Sequence, residues 1–457
     1  MKRIAYILTA LLFLLCACQP TPEKEFIVSH TEQQAKPTEN GGESVAPQGE
    51  TDSSVIPARW EETVEIDGKK IIFDTDIRVD DAATHPIYKV ERAAFDGETC
   101  LRIIESAFGT CEWRENELSR DDILREIEQI RLGDVTGYNY RTNQYISTPF
   151  ENEGEMLAPL IRQLQVAPTE DTFLPLTAAY LNNLKSRGTL RTEDGKPAHI
   201  VKLAFGGVSL LCYKYYNPLI TPESWVLQGE ARADEPPHAL ENVKITEEEA
   251  IAAADAFVAR LGRDDLRCAW GKKARMDKGT PSASYTRDVE ELAEGYWLFY
   301  SAAPKGCLPS KCDLIRANQL LKFDDAQASY SAEWGQEILL FFVTEEGILS
   351  IEWSTPTKIV GIVNADAALM PFEQMQERIR TMISYSVKGN TYLSPNEGSI
   401  YITDVCLSAV MRPIKDDPDH AELAPAWVIE LETDLSRRLN LNPYYLVIDA
   451  TDGSVIR

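Results

Sequence analysis

Histidine and basic side chains are scarce in this sequence. Its 457 residues include 5 histidines, and 46 lysines and arginines stand against 72 aspartates and glutamates, a formal net charge of −26 at pH 7. No two histidines have the spacing of HExxH or of another zinc-ligand motif. Because an acidic surface repels nucleic acid and anionic lipid headgroups, binding to DNA or RNA is disfavoured.

Catalytic motifs are also missing. The sequence has no Walker loop and no dinucleotide-binding G-x-G-x-x-G, and Ser209 in FGGVSLL lacks the G-x-S-x-G pattern of hydrolases. The acidic stretch DTDIRVDD, residues 74–81, has valine where an EF-hand loop needs glycine. Its residues Asp74, Asp76 and Arg78 alternate as on the exposed face of a strand. We therefore predict no metal site, no cofactor and no enzyme; an enzyme whose residues assemble only in the folded chain is the alternative.

Long apolar runs are limited to one, at the amino terminus. Residues 4–15 are apolar and follow two basic residues, and the run is shorter than the roughly 20 residues that a membrane-spanning helix needs. These proportions are typical of a secretory signal. The LCAC that follows resembles the bacterial lipobox, which implies a lipoprotein signal peptide over 1–17 and lipid attachment at Cys18. The alternative is an ordinary signal peptide with chance cysteines.

The segment after the lipobox has the composition of a linker. Residues 18–58 are rich in Pro, Glu, Gln, Ser, Thr and Gly, which do not bury enough apolar surface to offset their conformational entropy. A flexible coil of this length extends roughly 35 Å root-mean-square. We expect a disordered tether that holds a folded body at the extracytoplasmic face of the cell membrane, with membrane lipid bound through the acylated Cys18.

Cysteine is too sparse for a disulfide scaffold. Seven cysteines follow Cys18, an odd number spread over the whole body. In CLPSKC, Cys307 and Cys312 flank a turn at Pro309, so the two are placed either to form a disulfide or to lie as small buried thiols. The sequence leaves both interpretations open.

Capping signals predict five helices in the body. Four of them begin at a residue able to accept hydrogen bonds from free backbone N–H groups or near a first-turn proline, and three end at glycine. The predicted helices cover residues 97–108, 119–133, 155–165, 246–262 and 372–382. One apolar stripe on the second helix is formed by Ile123, Leu124, Ile127 and Ile130, and we expect it to pack.

Turn dipeptides favour antiparallel strands between these helices. Asp67-Gly68, Asp194-Gly195 and Asp452-Gly453 are typical of hairpin turns, and Glu345-Glu346 joins two further apolar runs. The strand-like runs are 63–66, 70–79, 172–180, 199–205, 209–216, 295–301, 336–344 and 347–353, with two more near the carboxyl terminus. We therefore predict an α+β fold with antiparallel sheets and packed helices.

The body is longer than one hydrophobic core usually supports, so we expect two domains. The clearest boundary is ARADEPPHALENVKI, residues 231–245, which contains proline, is charged and has no hydrophobic period. We predict an N-terminal α+β domain over 59–235 and a C-terminal α+β domain over 243–457.

Tyrosines in a polar segment are the candidate contact residues. Tyr138, Tyr140 and Tyr145 lie among Gly, Asn and Gln, a combination that suits sugar rings or a protein partner. The alternative interpretation is that these tyrosines cover the edge of a sheet.

Several motifs resemble one protein family. They are CQPTPEKE at the lipid site, FDTDIRV with HPIYKVE, ITEEEAIAAADAFV, GILSIEWSTPTKIVGIVNADAALMPFEQM and YYLVIDATDGSVI. Together they resemble lipoproteins of Bacillota, clostridia especially, that form a domain of unknown function, and that family assigns no catalytic residues. The TEEEA helix and the final DGSVI turn also resemble PepSY-like and WalK-regulator-like extracytoplasmic modules, in which the usual closing pattern is nearer to INAIDGSII.

The resemblance implies a protein that acts by binding. Modules of this kind regulate a membrane sensor kinase or restrain a peptidase. We therefore predict a non-catalytic binding or regulatory lipoprotein whose partner is such a membrane protein. A solute- or glycan-binding lipoprotein is the alternative, and an envelope hydrolase comes after it.

Overall fold

The computed structural model describes most of the predicted body. The described residues are 56–66, 68–81, 84–115, 119–139, 144–184, 187–203, 209–214, 223–227, 240–279, 289–312, 334–388, 398–414, 416–439 and 443–456. The predicted signal peptide, Cys18 and the linker up to residue 55 lie outside them. These predictions therefore stay predictions.

Seven helices lie in the described part of the chain. They are α1 Gly97–Phe108, α2 Arg120–Leu132, α3 Glu153–Val166, α4 Ala178–Asn183, α5 Glu247–Arg260, α6 Phe372–Lys388 and α7 Asp434–Leu439. None of the described helices is both long and apolar enough to cross a membrane.

Nineteen strands lie between them. They are β1 Arg59–Ile66, β2 Lys69–Arg78, β3 Ile87–Arg92, β4 Cys111–Arg114, β5 Asp134–Asn139, β6 Gln144–Thr148, β7 Phe173–Pro175, β8 Arg187–Thr192, β9 Pro197–Leu203, β10 Ser209–Lys214, β11 Glu223–Leu227, β12 Leu266–Gly279, β13 Val289–Ala302, β14 Ile338–Thr344, β15 Gly347–Ser354, β16 Thr357–Asn364, β17 Ile400–Ile414, β18 Asp417–Thr433 and β19 Tyr444–Asp449.

The strands form two large sheets, so the predicted α+β fold is confirmed. A ten-stranded antiparallel sheet has the order β11-β12-β13-β14-β15-β10-β9-β8-β4-β7. A seven-stranded sheet has the order β1-β2-β17-β18-β3-β16, with β19 also paired to β18. Its one parallel pair is β2 with β17, and β5 and β6 form a separate two-stranded ribbon.

Strands from both sides of the predicted domain boundary pair with each other. In the ten-stranded sheet, β10 pairs with β15. In the seven-stranded sheet, β3 pairs with β16 and with β18. Both large sheets therefore contain strands from both predicted domains, and the two-domain division stays a prediction.

Two large hydrophobic cores accompany the two sheets. One packs α1 and α5 against the ten-stranded sheet, where Phe257 of α5 meets the ring of Phe341 edge-on at 5.2 Å. The other packs α6 against the seven-stranded sheet through Phe372, Met375 and Ile379. The long β17–β18 hairpin contributes residues to both cores, and so it connects them.

The helix starts follow the predicted caps. The Asp96 side chain accepts from the Thr99 N–H at the start of α1. Ser119 forms a capping box with Asp122 at α2, and Thr246 forms one with Glu249 at α5. Side-chain oxygens at these positions satisfy N–H groups that have no partner inside the helix.

Two local predictions are wrong. The predicted strand at 172–180 is a three-residue strand, β7, followed by α4, whose cap is Thr177. The strand before the Asp194-Gly195 turn is instead β8, which pairs with β9.

On α2, Ile123, Ile127 and Ile130 are buried against α3, whereas Leu124 is 45% exposed. The stripe is narrower than predicted because one neighbouring helix covers only one side of α2.

Other hairpin predictions are confirmed. β1 pairs with β2 around Gly68, which has a φ of +75° that favours glycine. β14 pairs with β15 around the predicted Glu345-Glu346 turn. Asp74 and Asp76 on β2 have exposed side chains and both accept hydrogen bonds from Arg59, as the alternation predicts. Arg78, the third residue of the predicted exposed face, is instead half-buried and donates to Asp404.

Candidate functional site

A cleft lies where the chain crosses from one sheet to the other. β15 belongs to the ten-stranded sheet and β16 to the seven-stranded sheet, and only Thr355 and Pro356 separate them. We call this cavity the Trp353 cleft; its volume is about 370 Å³. It is lined by residues 93–95, Thr99, Arg102, 261–263, Asp265, Trp353 and 356–359.

Three segments position these residues. The first is the loop from β3 into α1, and the second is the turn after α5, where Gly262 has a φ of +69°. The third is the crossing itself, where Thr355 has a φ of +48°. A β-branched residue rarely adopts that conformation, which costs about 1–3 kcal/mol and persists where surrounding contacts impose it.

A buried ionic network lies behind the cleft wall. The Arg263 guanidinium donates to both carboxylate oxygens of Glu337 at 2.8 Å and to both of Asp265 at 2.7 and 2.8 Å. The Glu337 side chain has no exposed surface. Burial acts to lower the pKa of Arg263, but the hydrogen bonds to Asp265 and Glu337 outweigh it and raise the pKa, so the guanidinium stays charged.

Two neutral donors complete the coordination of Glu337. Trp353 Nε1 donates to it at 2.8 Å and the Thr357 hydroxyl at 2.7 Å. The guanidinium of Arg263 also lies 5.5 Å from the centre of the Trp353 ring, within cation–π distance. Arg263 thus links the end of α5 to β15, and Glu337 links β15 to the first residue of β16.

The neighbouring Gln336 joins the two sheets directly. Its side chain is fully buried, and its amide donates to the Ala409 carbonyl at 3.3 Å while its oxygen accepts from the Met411 N–H at 3.3 Å. Its backbone carbonyl accepts from the Thr355 hydroxyl at 2.7 Å. These bonds hold the strained crossing between β15 and β16 in place.

The wall of the cleft combines apolar and basic groups. Phe95 packs edge-on against Trp353 with ring centres 5.7 Å apart. Three of the four ionisable lining side chains are basic, namely Arg102, Arg263 and Lys358, in a chain whose net charge is −26. Arg102 is exposed and also lines a neighbouring depression with Arg260. This arrangement fits an apolar group that carries negative charge.

The tyrosine candidates lie elsewhere in the fold. Tyr138 of β5 and Tyr145 of β6 are directly opposite each other in the ribbon, and Tyr140 lies outside the described residues. The residues that line the Trp353 cleft do not include them. A role of these tyrosines in ligand or partner contact stays a prediction.

The two candidate disulfide cysteines are present as thiols. Cys307 and Cys312 are both buried, and the described residues contain no disulfide. Burial raises the pKa of the Cys307 thiol to about 12, which disfavours the reactive thiolate. A disulfide between these two cysteines stays a prediction.

Sequence reasoning missed the residues of the cleft. Arg263 and Glu337 are 74 positions apart, so no local motif joins them. The one local signal is STPT, residues 354–357, a short polar connection between two apolar runs. It marks a turn, but it does not show that the flanking strands belong to different sheets.

Comparisons with known proteins give a structural likeness but no family. No protein-family model and no curated protein matches the sequence. A crystal structure of an uncharacterized protein from Eubacterium rectale is similar over 85% of this chain and 90% of its own, at 12% sequence identity and a TM-score of 0.41.

Proposed function

We propose that this chain is a lipid-anchored, extracytoplasmic binding or regulatory module without catalytic activity, and that it binds its partner in the Trp353 cleft. Cys18 anchors the protein to the cell membrane, and the linker holds the body away from the lipid. The partner is a membrane protein, with a sensor kinase or a peptidase as the candidates.

The Trp353 cleft carries this proposal. Its volume of about 370 Å³ lies in the range typical of ligand sites, roughly 300–1,000 Å³. The network of Arg263, Glu337 and Trp353 fixes its wall in advance, so binding requires little ordering of side chains. Its exposed ionisable lining side chains, Arg102 and Lys358, are both basic, which favours a partner with a carboxylate or another anionic group.

The resemblance of the sequence to lipoproteins of Bacillota and to PepSY-like and WalK-regulator-like modules supports the same role. Those modules act by contacting other envelope proteins. Their TEEEA helix corresponds here to α5, and the turn after α5 supplies Arg263 and Asp265 to the cleft.

The alternative of a solute or glycan receptor has less support. Receptors of transporters are built from parallel β-α-β units, whereas among the described strand pairs only β2 with β17 is parallel. Glycan binding would rest on the tyrosines of the β5–β6 ribbon.

An envelope hydrolase is the third alternative. Two carboxylates do converge near the cleft, those of Asp265 and Glu337. Both accept hydrogen bonds from the same guanidinium, that of Arg263. In that arrangement the carboxylates hold a cation in place, so we assign them a positioning role rather than an acid–base role.

Photocrosslinking in the intact cell envelope tests the proposal. A photoreactive amino acid replaces Arg102 at the cleft, and a matched sample carries it at Lys70, an exposed lysine on β2 at the far side of the seven-stranded sheet. We expect one membrane protein to be captured from Arg102 and not from Lys70. Lys358→Glu should reduce that capture because it reverses one basic charge. Equal capture from both positions, or none from Arg102, would contradict the proposal.

A further inference from the structure

Strand β16 forms an outer edge of the seven-stranded sheet and is unusually apolar for an exposed strand. Its one partner among the described strands is β3. The exposed fractions of Val360, Ile362 and Val363 are 42%, 62% and 52%. Three of the eight large hydrophobic side chains that are exposed in the described part of the chain therefore lie on this one strand.

The pairing of β16 with β3 is interrupted twice. Register shifts fall between Ile359 and Gly361 and between Ile362 and Asn364. Val360 and Val363 are the extra residues at these two bulges, so neither has a residue opposite it on β3. Bulges protect an edge against long, regular pairing with any passing strand. The edge therefore admits a short segment that matches its irregular shape.

The same strand forms part of the Trp353 cleft. Thr357, Lys358 and Ile359 line the cleft, and the exposed valines and isoleucine follow them directly. A segment that extends along β16 from Val363 to Lys358 would be about six residues, or about 20 Å, long. Its end would enter the cleft beside Lys358 and Arg102.

The charges at that end specify the occupant. Lys358 is 69% exposed and has Glu91 at 3.5 Å as its ion-pair partner. Arg102 is exposed, and no hydrogen bond or ion pair joins its side chain to another described residue. An incoming carboxylate therefore meets two accessible cations at the inner end of the strand.

We propose that β16 binds an extended, apolar segment of a partner polypeptide, about six residues long, whose carboxylate enters the Trp353 cleft. Backbone groups of the segment pair with the open edge, and its apolar side chains cover Val360, Ile362 and Val363. This inference rests on the proposed function and names the kind of partner surface that the cleft recognises.

Two crosslinking positions test the inference in the tethered protein in its own envelope. One photoreactive residue replaces Ile362, at the outer end of the strand, and the other replaces Arg102, at the cleft. Mass spectrometry then locates the crosslinked residues in the captured partner. We expect both positions to capture the same protein through a single segment of its chain. The two crosslinked residues of that segment should lie about four to eight residues apart, and the end that is crosslinked from Arg102 should carry an acidic group.

A charge substitution provides the second measurement. Ile362→Lys changes an exposed side chain, so the fold should be retained, and it should lower capture from Arg102 at least about tenfold. Val166→Lys, at an 82% exposed valine on α3, is the matched control and should leave capture unchanged.

Each other outcome overturns the inference. One such outcome is capture from Arg102 but not from Ile362, and another is capture that Ile362→Lys leaves unchanged. Either result contradicts the binding of a partner segment to β16 and leaves the proposed function intact. Capture of a second copy of this chain from Ile362 identifies β16 as a self-association edge instead. Capture from neither position contradicts both the inference and the proposed function.

Discussion

Replacing Arg263 by methionine should destabilise the whole body. The guanidinium lies between two carboxylates, and its removal leaves Glu337 with Trp353 Nε1 and the Thr357 hydroxyl as its donors. The Glu337 side chain has no exposed surface, so water does not replace the lost cation. Methionine retains the apolar stem of arginine, so the change removes the guanidinium with its charge and its hydrogen bonds.

The size of the effect follows from this burial. Breaking a buried ion pair by removing one partner costs about 3–5 kcal/mol. Unfolding entropy of about 2.1 cal/mol/K per residue, over roughly 400 residues, gives about 0.8 kcal/mol/K. Arg263→Met should therefore lower the melting temperature by about 4–6 °C.

Calorimetry of the variants measures this shift. Lys244→Met is the control, because Lys244 and its partner Glu345 are exposed, and it should shift the melting temperature by less than about 1 °C. The double variant Arg263→Met/Glu337→Gln should recover at least about half of the loss, since an amide oxygen still accepts from Trp353 without carrying charge. A shift below about 1 °C for Arg263→Met, or a double variant less stable than the single one, would refute the reasoning.

Three further predictions concern other parts of the chain. Cys18→Ser should release the protein from the membrane fraction, as measured by immunoblotting, whereas Cys16→Ser should not. A Cys18→Ser protein that stays in the membrane fraction would contradict lipidation at Cys18. Thr246→Ala should lower the free energy of unfolding in urea by about 1 kcal/mol because it removes the helix cap, whereas Thr246→Ser should keep both the cap and the stability. Equal losses in both variants would argue against the cap. Burial acts to raise the pKa of Asp404, but hydrogen bonds from Arg78 and Lys311 outweigh it and lower the pKa below 3.8. The interaction of the ionised Asp404 with these two cations therefore stabilises the fold above that value, and the stabilisation is lost as the pH falls through the lowered pKa. Thermal melts of Asp404→Asn should accordingly show a smaller drop between about pH 6 and about pH 3 than those of the wild type, and parallel drops would exclude a contribution from Asp404.

The proposed binding role rests on the way in which the Trp353 cleft is built. Its wall is built from the end of α5, the crossing between β15 and β16, and the loop into α1. The exposed edge of β16 continues outward from the cleft. A partner segment could therefore meet a preformed recess and an adjoining strand edge at once.

The sequence by itself determined the local structure. Asp96, Ser119 and Thr246 begin helices where their side chains cap free N–H groups, and these bonds span only three residues. The Glu345-Glu346 turn joins β14 to β15 for the same reason, since a hairpin is closed by neighbouring residues. Alternation along β2 also gave the exposed face of Asp74 and Asp76.

The tertiary structure alone decided how these elements combine. Periodicity shows that β2 and β17 are strands, but it does not contain the parallel register that pairs Ile71 with Ile400. The same limit applies to the cleft, because Arg263 and Glu337 meet only after α5 packs on the ten-stranded sheet. A charged residue in a sequence has no visible partner until the chain folds, and burial then makes the loss of that partner costly.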